Sequence, residues 1–359
     1  MKVIVTGISG SGRSSYLQSV LQYATGKGKQ VKILEVGNMM FAIAQALGIT
    51  IPEDKILDLS PSTLGYLRTA VFEQILRECS QNENLIISTH ACFRWKKHIL
   101  NAFDFHYLNE INPDLYVTVV DELLPIKARL EASDQWKGHL DLKDILIWRD
   151  EEIFITKAIA DFQRKPFYIM PRKQPPDTLY RFMLDPNSKK VYLSYPITHV
   201  RKHAEKLRAK DGFRDKLRTA GMVIFDPGEI DDVNAIKLAS DAASNKKERL
   251  EFETEGNRIQ VPTREIQEMR DYIYDQIVAR DYQLIDQSDL IIVYYYIPVM
   301  SPGVLSEMSY GFTNNRDVLV VFKGPESPFF HYYSTRIFSD ESELMQYLKE
   351  IGFVRQGSG

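Results

Sequence analysis

The chain of 359 residues is poor in the features that build disulfide frameworks, cysteine-based metal sites or nucleic-acid-binding surfaces. Its only cysteines, Cys79 and Cys92, are too few for a disulfide framework or a four-cysteine zinc site. The 45 Lys and Arg residues do not outnumber the 48 Asp and Glu residues, so the net charge is −3. Nucleic-acid-binding domains usually carry a basic excess, and we therefore expect no nucleic-acid partner.

Long apolar stretches are also absent. The sequence has no run of about 18 apolar residues, the length that a membrane span needs. Its first residues, Lys2–Thr6, have the pattern of a strand rather than of the apolar core of a signal peptide. We expect a cytoplasmic protein with no membrane partner. The length predicts two domains, and an apolar content of 44% is enough for two cores.

Apolar strands alternate with helical patterns in the first half, which predicts right-handed crossovers and a parallel sheet. The strands predicted there are Val3–Val5, Lys32–Leu34, Asn84–Ser88, Asp114–Val120 and Phe167–Met170. Proline and polar residues then cluster, and the periodic signal fades. We therefore predict a first domain over residues 1–172 and a linker over residues 173–189.

A second α/β pattern follows over residues 190–356, with strands predicted at Val191–Ser194, Met222–Phe225, Leu290–Tyr295 and Val318–Phe322. The predicted fold class is α/β, with two domains that each contain a mainly parallel sheet flanked by helices. Residues Val233–Gln260 are rich in charged and polar residues and weakly patterned. We expect an insertion or a mobile loop there, with a lid over the second site as the alternative.

A glycine-rich loop follows the first strand and opens a helix. Its sequence, Gly7-Ile-Ser-Gly-Ser-Gly-Arg-Ser14, follows the phosphate-loop pattern G-x-x-x-x-G-K-[ST], except that Arg13 replaces the lysine. Glycines let the backbone approach phosphates, and the start of the helix supplies N–H donors. We predict that Ser14 ligates magnesium. The predicted nucleotide-binding residues are Gly7, Gly10, Gly12, Arg13, Ser14 and Ser15.

Further segments extend this pattern through residues 1–172. They are Ile86-Ile-Ser-Thr-His-Ala91, Asn112-Pro-Asp-Leu-Tyr-Val117 and Trp148-Arg-Asp-Glu-Glu-Ile153. With the glycine-rich loop, they resemble the archaeal-type adenylate kinases, which are P-loop proteins. The resemblance implies ATP or another nucleotide with Mg²⁺, and phosphoryl transfer between nucleotides. The chain departs from the family at Arg13 and at Ser88, where the family has an Asp that organises magnesium and water. A nucleotide-binding or sensing domain without efficient transfer is therefore an alternative.

Three segments of the later half form a second set. A strand runs into a loop and helix at Val191–Thr198, a helix runs into a strand at Ala279–Val293, and a loop runs into a helix at Ser301–Gly311. This set resembles the nucleoside 2-deoxyribosyltransferase superfamily, and within it the nucleoside 5'-monophosphate N-glycosidases. Those hydrolases carry the pattern S-x-G-V-x-x-E, which matches Ser301 to Glu307 here. The resemblance implies a deoxyribosyltransferase-like Rossmannoid sheet and cleavage of the base–sugar bond of a nucleotide.

The same resemblance assigns roles to individual residues. Glu307 would attack the sugar C1' or support its developing charge, and Asp281 would assist as an acid or base. A serine would tolerate a 5'-phosphate that a carboxylate would repel, and the site needs no cofactor. Taken singly, each residue favours a structural role: Asp281 that of a solvated helix residue paired with Arg280, and Glu307 that of a carboxylate that satisfies the dipole at a helix N-terminus. The predicted substrate-binding residues are Tyr192, Tyr195, Arg201, Ser301 and Gly303.

The leading hypothesis is a nucleotide N-glycosidase that acts on a small-molecule nucleotide and carries an N-terminal ATP- or nucleotide-binding, kinase-like domain. One alternative is a nucleoside monophosphate kinase whose later domain only binds a ligand. Another is a nucleotide-sensing defence effector. The superfamily that the later half resembles usually assembles as dimers or larger oligomers, so we expect a homo-oligomer.

Overall fold

The computed structural model of the protein describes residues 1–96, 98–201, 203–295, 301–324 and 327–354. Within these ranges the chain divides into two compact units. The first contains Met1–Met183 and Ile230–Tyr274, and the second contains Leu184–Glu229 and the residues from Asp275 onward. No helix in the described ranges is both long enough and apolar enough to cross a membrane.

The chain up to residue 184 forms seven strands and seven α-helices within the described ranges, together with short 3-10 turns at Pro52–Asp54 and Ile56–Asp58. In chain order the elements are β1 (Lys2–Thr6), α1 (Arg13–Gly26), β2 (Lys32–Glu35), α2 (Val36–Ala46), α3 (Pro61–Gln81), β3 (Leu85–Ser88), β4 (Cys92–Trp95), β5 (His98–Asn101), α4 (Phe105–Ile111), β6 (Leu115–Val120), α5 (Leu123–Glu131), α6 (Leu142–Gln163), β7 (Phe167–Pro171) and α7 (Asp177–Leu184).

The remainder of the described chain adds seven strands and eight α-helices, with a 3-10 turn at Pro227–Glu229. These elements are β8 (Lys190–Ser194), α8 (Ile197–Val200), α9 (Ala204–Thr219), β9 (Val223–Phe225), α10 (Val233–Ser244), β10 (Arg249–Thr254), β11 (Asn257–Pro262), α11 (Thr263–Glu268), α12 (Arg270–Asp286), β12 (Leu290–Tyr295), α13 (Pro302–Thr313), β13 (Asp317–Phe322), α14 (Pro328–Tyr332), β14 (Arg336–Phe338) and α15 (Glu341–Glu350).

Each unit is built on a five-stranded parallel sheet, which confirms the predicted α/β class. The strand order is β2-β3-β1-β6-β7 in the first unit and β14-β13-β12-β8-β9 in the second. The inner strands β6 and β12 are buried along their whole length, because helices cover both faces of such a sheet. The carboxyl ends of the strands on either side of the order reversal are where ligands bind in open α/β sheets. The glycine-rich loop follows β1 and Glu307 lies on the helix that follows β12, whereas Asp281 lies on α12, which precedes β12.

Helix α3 shows how apolar periodicity in the sequence identifies an element of the first unit. Leu67, Val71 and Ile75 recur every four residues and are fully buried on α3. They pack in one core cluster with Ile4 and Ile87 of the central strands. A row of apolar residues at helical spacing, packed against apolar strands, is the pattern that sequence periodicity predicts most readily.

The weakly patterned segment is ordered secondary structure rather than a loop, because it forms α10, the antiparallel hairpin β10–β11, and α11. It belongs to the first unit, although residues of the second unit flank it in the chain. Leu250, Ile259 and Val261 are buried on one face of the hairpin, whereas Glu251 and Arg258 are exposed and paired on the other. Only a few apolar residues of this segment are buried. Its many charged residues therefore obscured the periodicity of the helix and strands in the sequence. A lid over the second site stays a prediction.

The unit boundaries differ from the predicted domain limits. Helix α7 lies within the predicted linker, residues 173–189, and buries Leu179, Phe182 and Met183 in the first unit. The last boundary falls inside α12. Proline and polar residues before and after α7 concealed a short helix with a strong apolar face. Residues 355–356 of the predicted second domain lie outside the described residues.

A buried ion pair attaches the later segment to the first unit. The Arg149 guanidinium donates to Asp232 Oδ2 at 2.8 Å, and the Leu123 amide donates to Asp232 Oδ1 at 2.8 Å. The side chains of Arg149 and Asp232 are 4% and 0% exposed, so neither charge is compensated by water. Removing one partner of such a pair leaves the other charge buried, which costs more than the pair itself contributes.

We predict that Asp232→Asn lowers the free energy of unfolding of the first unit by about 3 kcal/mol, because Arg149 loses its counter-charge. Urea unfolding followed by tryptophan fluorescence measures this directly. All three tryptophans, Trp95, Trp136 and Trp148, belong to the first unit, so the signal reports on that unit.

Glu268→Gln is the matched control, because Glu268 pairs with Arg264 on the surface of the same segment at 2.6 Å. We expect a change of less than about 0.5 kcal/mol for this exposed pair. Equal unfolding midpoints for the two variants would contradict the structural role of Asp232.

Candidate functional site

The glycine-rich loop connects β1 to α1 in a conformation that only small residues allow. Gly7 has φ 151°, and a Cβ there would lie 2.7 Å from the Val119 carbonyl oxygen. Gly12 has φ 74°, directly before α1, and a Cβ there would overlap the side chain of Arg172. The loop backbone is therefore held in the left-handed and extended shapes that cradle phosphates.

The first turn of α1 presents its amides at the end of this loop. The helix begins at Arg13, and no side chain caps it. Ser14 and Ser15 are exposed, with the Ser15 hydroxyl donating to the Gly12 carbonyl at 2.8 Å. Unpaired N–H groups at a helix start are donors for phosphate oxygens. The described residues include no cluster of three or more His, Cys, Asp or Glu that could hold a metal. A magnesium ion at Ser14 would therefore depend on ligands from the nucleotide and water.

Arg13 is bonded to the end of β3. Its Nε donates to Ser88 Oγ at 2.9 Å, and one terminal nitrogen donates to the Gly7 carbonyl at 2.5 Å and to the Thr89 carbonyl. The other terminal nitrogen lies 3.3 Å from His90 Nε2. Burial lowers the pKa of Arg13 to about 10, so it stays charged at neutral pH. Arg13 and Ser88, the two departures from the kinase pattern, are therefore hydrogen-bonded to each other.

Glu152 is a residue of this site that sequence reasoning missed. Its side chain is 1% exposed, and it accepts hydrogen bonds from the Gly7 amide at 3.0 Å, the Ala91 amide at 2.9 Å and the Cys92 amide at 2.9 Å. Burial raises the pKa of Glu152, and the three amides act in the opposite direction. It ties the start of the glycine-rich loop to the segment after β3. The sequence shows an acidic run in α6, but the amides that bind Glu152 belong to residues 60 or more positions away in the chain.

A cavity of about 90 Å³ opens beside Arg13. Its walls are mostly apolar and carry a second guanidinium, Arg68, whose pKa is lowered by burial. An apolar cleft with a few placed charges is a common form of small-molecule site. The lining residues include Val36, Met40, Leu64, Arg68, His90 and Phe93.

In the second unit, Glu307 is held by two hydroxyl groups from β8. Tyr192 and Ser194 are two residues apart, so they lie on the same face of the strand. The Tyr192 hydroxyl donates to Glu307 Oε1 at 3.1 Å, and the Ser194 hydroxyl donates to Oε2 at 2.5 Å. Glu307 lies in the second turn of α13, which follows β12, the strand paired with β8. The sequence predicted Tyr192 and Glu307 but missed Ser194, which strand alternation could have found.

Asp281 on α12 lies within electrostatic range of Glu307. Burial and the charge of Asp281 together raise the pKa of Glu307 to about 8, against the lowering effect of the two hydroxyl groups. Burial also raises the pKa of Asp281 to about 6. Asp281 Oδ1 is buried with no hydrogen-bond partner among the described residues. Both residues are partly exposed. The structure therefore brings together the two carboxylates that the sequence predicted as a pair.

Tyr195 faces a different group. Its hydroxyl donates to Asp226 Oδ1 at 2.9 Å, directly after β9. The Lys210 ammonium and the Arg214 guanidinium donate to Asp226 Oδ2 at 2.6 and 3.1 Å. Burial acts to raise the pKa of Asp226, but Lys210 and its other partners lower it overall. Asp226 is thus a charged anchor for Tyr195, and no motif in the sequence singled it out.

The predicted phosphate-holding residues lie at the start of α13. Ser301 is the residue before the helix, and its hydroxyl does not cap the helix. Gly303 is exposed in the first turn, where a Cβ would meet nothing closer than the Ser301 hydroxyl at 3.9 Å. Arg201 is exposed at the end of α8, and its charge acts on the ionisation of Tyr195. Their contact with a phosphate stays a prediction.

Comparison with known proteins bears on the first unit. Residues 6–141 match the family described as AAA domain. An adenylate kinase of Methanococcus vannielii is 28% identical over 161 residues, which cover 45% of this chain and 77% of that protein. An adenylate kinase of Methanocaldococcus jannaschii is 26% identical over 161 residues, which cover 44% of this chain and 80% of that protein.

These similarities and the loop geometry support an adenylate kinase-like P-loop nucleotide-binding domain, with ATP or another nucleotide and Mg²⁺ as its ligand. The glycine-rich loop lies wholly inside the matched residues, as do Arg13 and Ser88. None of these matches bears on the resemblance of the later half to deoxyribosyltransferases, which stays a prediction.

The hydroxyl contacts of Glu307 predict a shift in its ionisation. We expect Ser194→Ala to raise the pKa of Glu307 above its value of about 8, because a hydrogen bond to the charged form is lost. The measurement is a pH titration of ¹³C-labelled glutamate carboxyl signals, with the Glu307 signal assigned from its disappearance in Glu307→Gln. Ser306→Ala on the same helix is the control, since Ser306 contacts Tyr282 instead. A pKa that is equal in both variants would contradict the assigned contact.

Proposed function

We propose that the second unit hydrolyses the base–sugar bond of a nucleoside 5'-monophosphate or a related nucleotide. The observation that carries the proposal is that Asp281 of α12 lies within electrostatic range of Glu307, whose oxygens accept from Tyr192 and Ser194 of β8. Both acidic residues are partly accessible, and burial and mutual charge keep one of them protonated near neutral pH. Two carboxyl groups with separated pKa values are the arrangement that glycoside hydrolysis uses.

The two carboxyl groups divide the chemistry. Glu307 attacks C1' as a carboxylate while the bond from C1' to the base nitrogen breaks, and the base leaves with the bonding electrons. Asp281 assists by delivering or holding a proton for the departing base. Water then attacks C1', which releases Glu307 and gives a sugar phosphate. Tyr192 and Ser194 orient the attacking oxygens, because each donates to one of them.

The start of α13 supports a phosphate-bearing substrate. The Ser301 hydroxyl and the exposed first turn at Gly303 supply neutral donors at a helix N-terminus, which favours an anion there. Glu307 is one and a half turns further along the same helix. A 5'-phosphate at the helix start would therefore place the sugar of the substrate toward the carboxyl pair.

Phosphoryl transfer by the first unit is the second candidate function. The similarity to adenylate kinases favours it, whereas the commitment of Arg13 to Ser88 and to backbone carbonyls at β3 favours nucleotide binding without efficient transfer. Transfer of labelled phosphate from ATP to a nucleoside monophosphate distinguishes these functions. Transfer that survives Glu307→Gln and is lost in Arg13→Ala would establish the kinase.

We expect the wild-type protein to release free base from at least one member of a panel of ribo- and deoxyribonucleotides, as measured by chromatography. Glu307→Gln should slow release by about 10³-fold or more, and Asp281→Asn by about 10²-fold, because nucleophile and proton transfer are lost separately. Asp286→Asn is the matched control on α12, where Asp286 accepts from Tyr310 at the surface. Release that is unaffected by Glu307→Gln, or no release from any nucleotide, would refute the proposal.

The pH profile tests the assignment of the nucleophile. The profile is measured in Asp281→Asn, because in the wild type Asp281 must hold a proton while Glu307 is ionised and the two titrations overlap. If Glu307 must be ionised to attack, kcat/KM of this variant should rise about tenfold per pH unit below the pKa of Glu307 and level off above it. If Glu307 were the proton donor instead, kcat/KM would fall above about pH 8. Measurement of kcat/KM between pH 5.5 and about 9.5 separates the two signs.

A further inference from the structure

The hairpin β10–β11 carries an unusual residue at its tip. Its two turn residues, Glu255 and Gly256, have φ of 50° and 76°. Such two-residue turns favour Asn-Gly or Gly-Gly, because both positions need the left-handed conformation. Glutamate is disfavoured at this position, so its side chain has to be explained by what it contacts.

Glu255 binds two arginines of the first unit. Its Oε1 accepts from Arg172 at 2.6 Å, and its Oε2 accepts from Arg129 at 3.2 Å. Partial burial acts to raise the pKa of Glu255, but the two arginines lower it overall. The side chain is 42% exposed, so solvent reaches this ion pair.

The same arginines lie on the phosphate-binding loop. Arg129 donates from Nε to the Gly10 carbonyl at 2.5 Å. Arg172 donates to Ser15 Oγ at 3.3 Å and lies against the backbone of Gly12, where a Cβ would overlap it. A nucleotide phosphate bound to the loop amides would therefore be within reach of both guanidinium groups.

Arg129 has a partner at each of its three guanidinium nitrogens, and Arg172 has partners at both of its terminal nitrogens. The Nε of Arg129 donates to Gly10, and its two terminal nitrogens donate to Asp121 and Glu255. Asp121 also lies 3.7 Å from Arg172, so two positive charges face two negative ones. Added phosphate gains charge-assisted contacts only if one carboxylate leaves. Asp121 is 3% exposed and Glu255 is 42% exposed, so Glu255 is the one that can exchange.

We propose that Glu255 is an internal latch that holds Arg129 and Arg172 in the nucleotide-free protein and is displaced by the phosphates of a nucleotide bound at the P-loop. The proposal rests on the nucleotide-binding function of the first unit and adds its regulation. Binding would release the hairpin tip while Asp121 keeps both arginines in place. Occupancy of the loop is then signalled to the segment that joins β9 to α12 in the chain.

The first test compares ATP affinity in full-length variants by calorimetry. Glu255→Asn removes the carboxylate and installs the preferred residue for this turn, so the hairpin stays folded. We expect it to bind ATP about fivefold more tightly than wild type, the range for an exposed ion pair. Glu253→Gln removes one negative charge from the same hairpin, where Glu253 is exposed and opposite Arg258, and should leave the affinity unchanged.

The second test is hydrogen exchange of the amides of residues 249–262. In wild type, ATP should speed exchange at the tip because the latch is released, whereas in Glu255→Asn exchange at the tip should not respond to ATP. Unchanged or weaker affinity in Glu255→Asn, or a tip that ATP protects in wild type, overturns the latch but leaves the nucleotide site intact. Absence of ATP binding in every variant overturns the latch and the nucleotide site together.

Discussion

The exclusion of carboxylates from water is the constraint on which both units depend. A buried carboxylate is costly unless cations or N–H groups replace its hydration. Glu152 meets this requirement with three backbone amides, and Asp232 meets it with Arg149 and one amide. Asp226 is held by Lys210 and further donors, and its pKa is accordingly lowered. For Glu152 and Asp232 the compensating groups come from residues 60 or more positions away in the chain, so these contacts connect distant segments of the first unit.

Glu307 and Asp281 are the exceptions that indicate chemistry. Glu307 receives only two hydroxyl groups, and one oxygen of Asp281 receives nothing from the described residues. Burial outweighs the two hydroxyl groups at Glu307 and the charge of Arg280 at Asp281, so the pKa values of the two groups rise to about 8 and about 6. Glu229, with one guanidinium partner and a pKa of about 7, lies between the two classes. A buried carboxylate whose lost hydration is only partly replaced by protein donors marks a site where a substrate can supply the missing contacts.

The sequence predicted what local pattern determines. Apolar strands and amphipathic helical patterns predicted two parallel sheets, and the glycine-rich sequence predicted the P-loop. Both patterns can be recognised because each lies within a few consecutive residues. Glu152, Ser194 and Asp226 were missed because their roles depend on partners that only the fold brings near. The sequence did not predict that residues 230–274 belong to the first unit, because α10 buries only a narrow row of small residues, including Ala235 and Ala239. Periodicity cannot tell which core a stripe will join.

The chain order of the units has a consequence for how the protein could have arisen. The segment that supplies Asp232 and Glu255 to the first unit is encoded between two pieces of the second. A break at the predicted linker would separate Arg149 from its counter-charge and leave α10 and its hairpin without the surface that they cover. The two halves of the chain therefore cannot be exchanged as independent domains. Recombination could exchange them only by moving residues 230–274 together with the first half, which ties the ancestry of that insertion to the partner upstream.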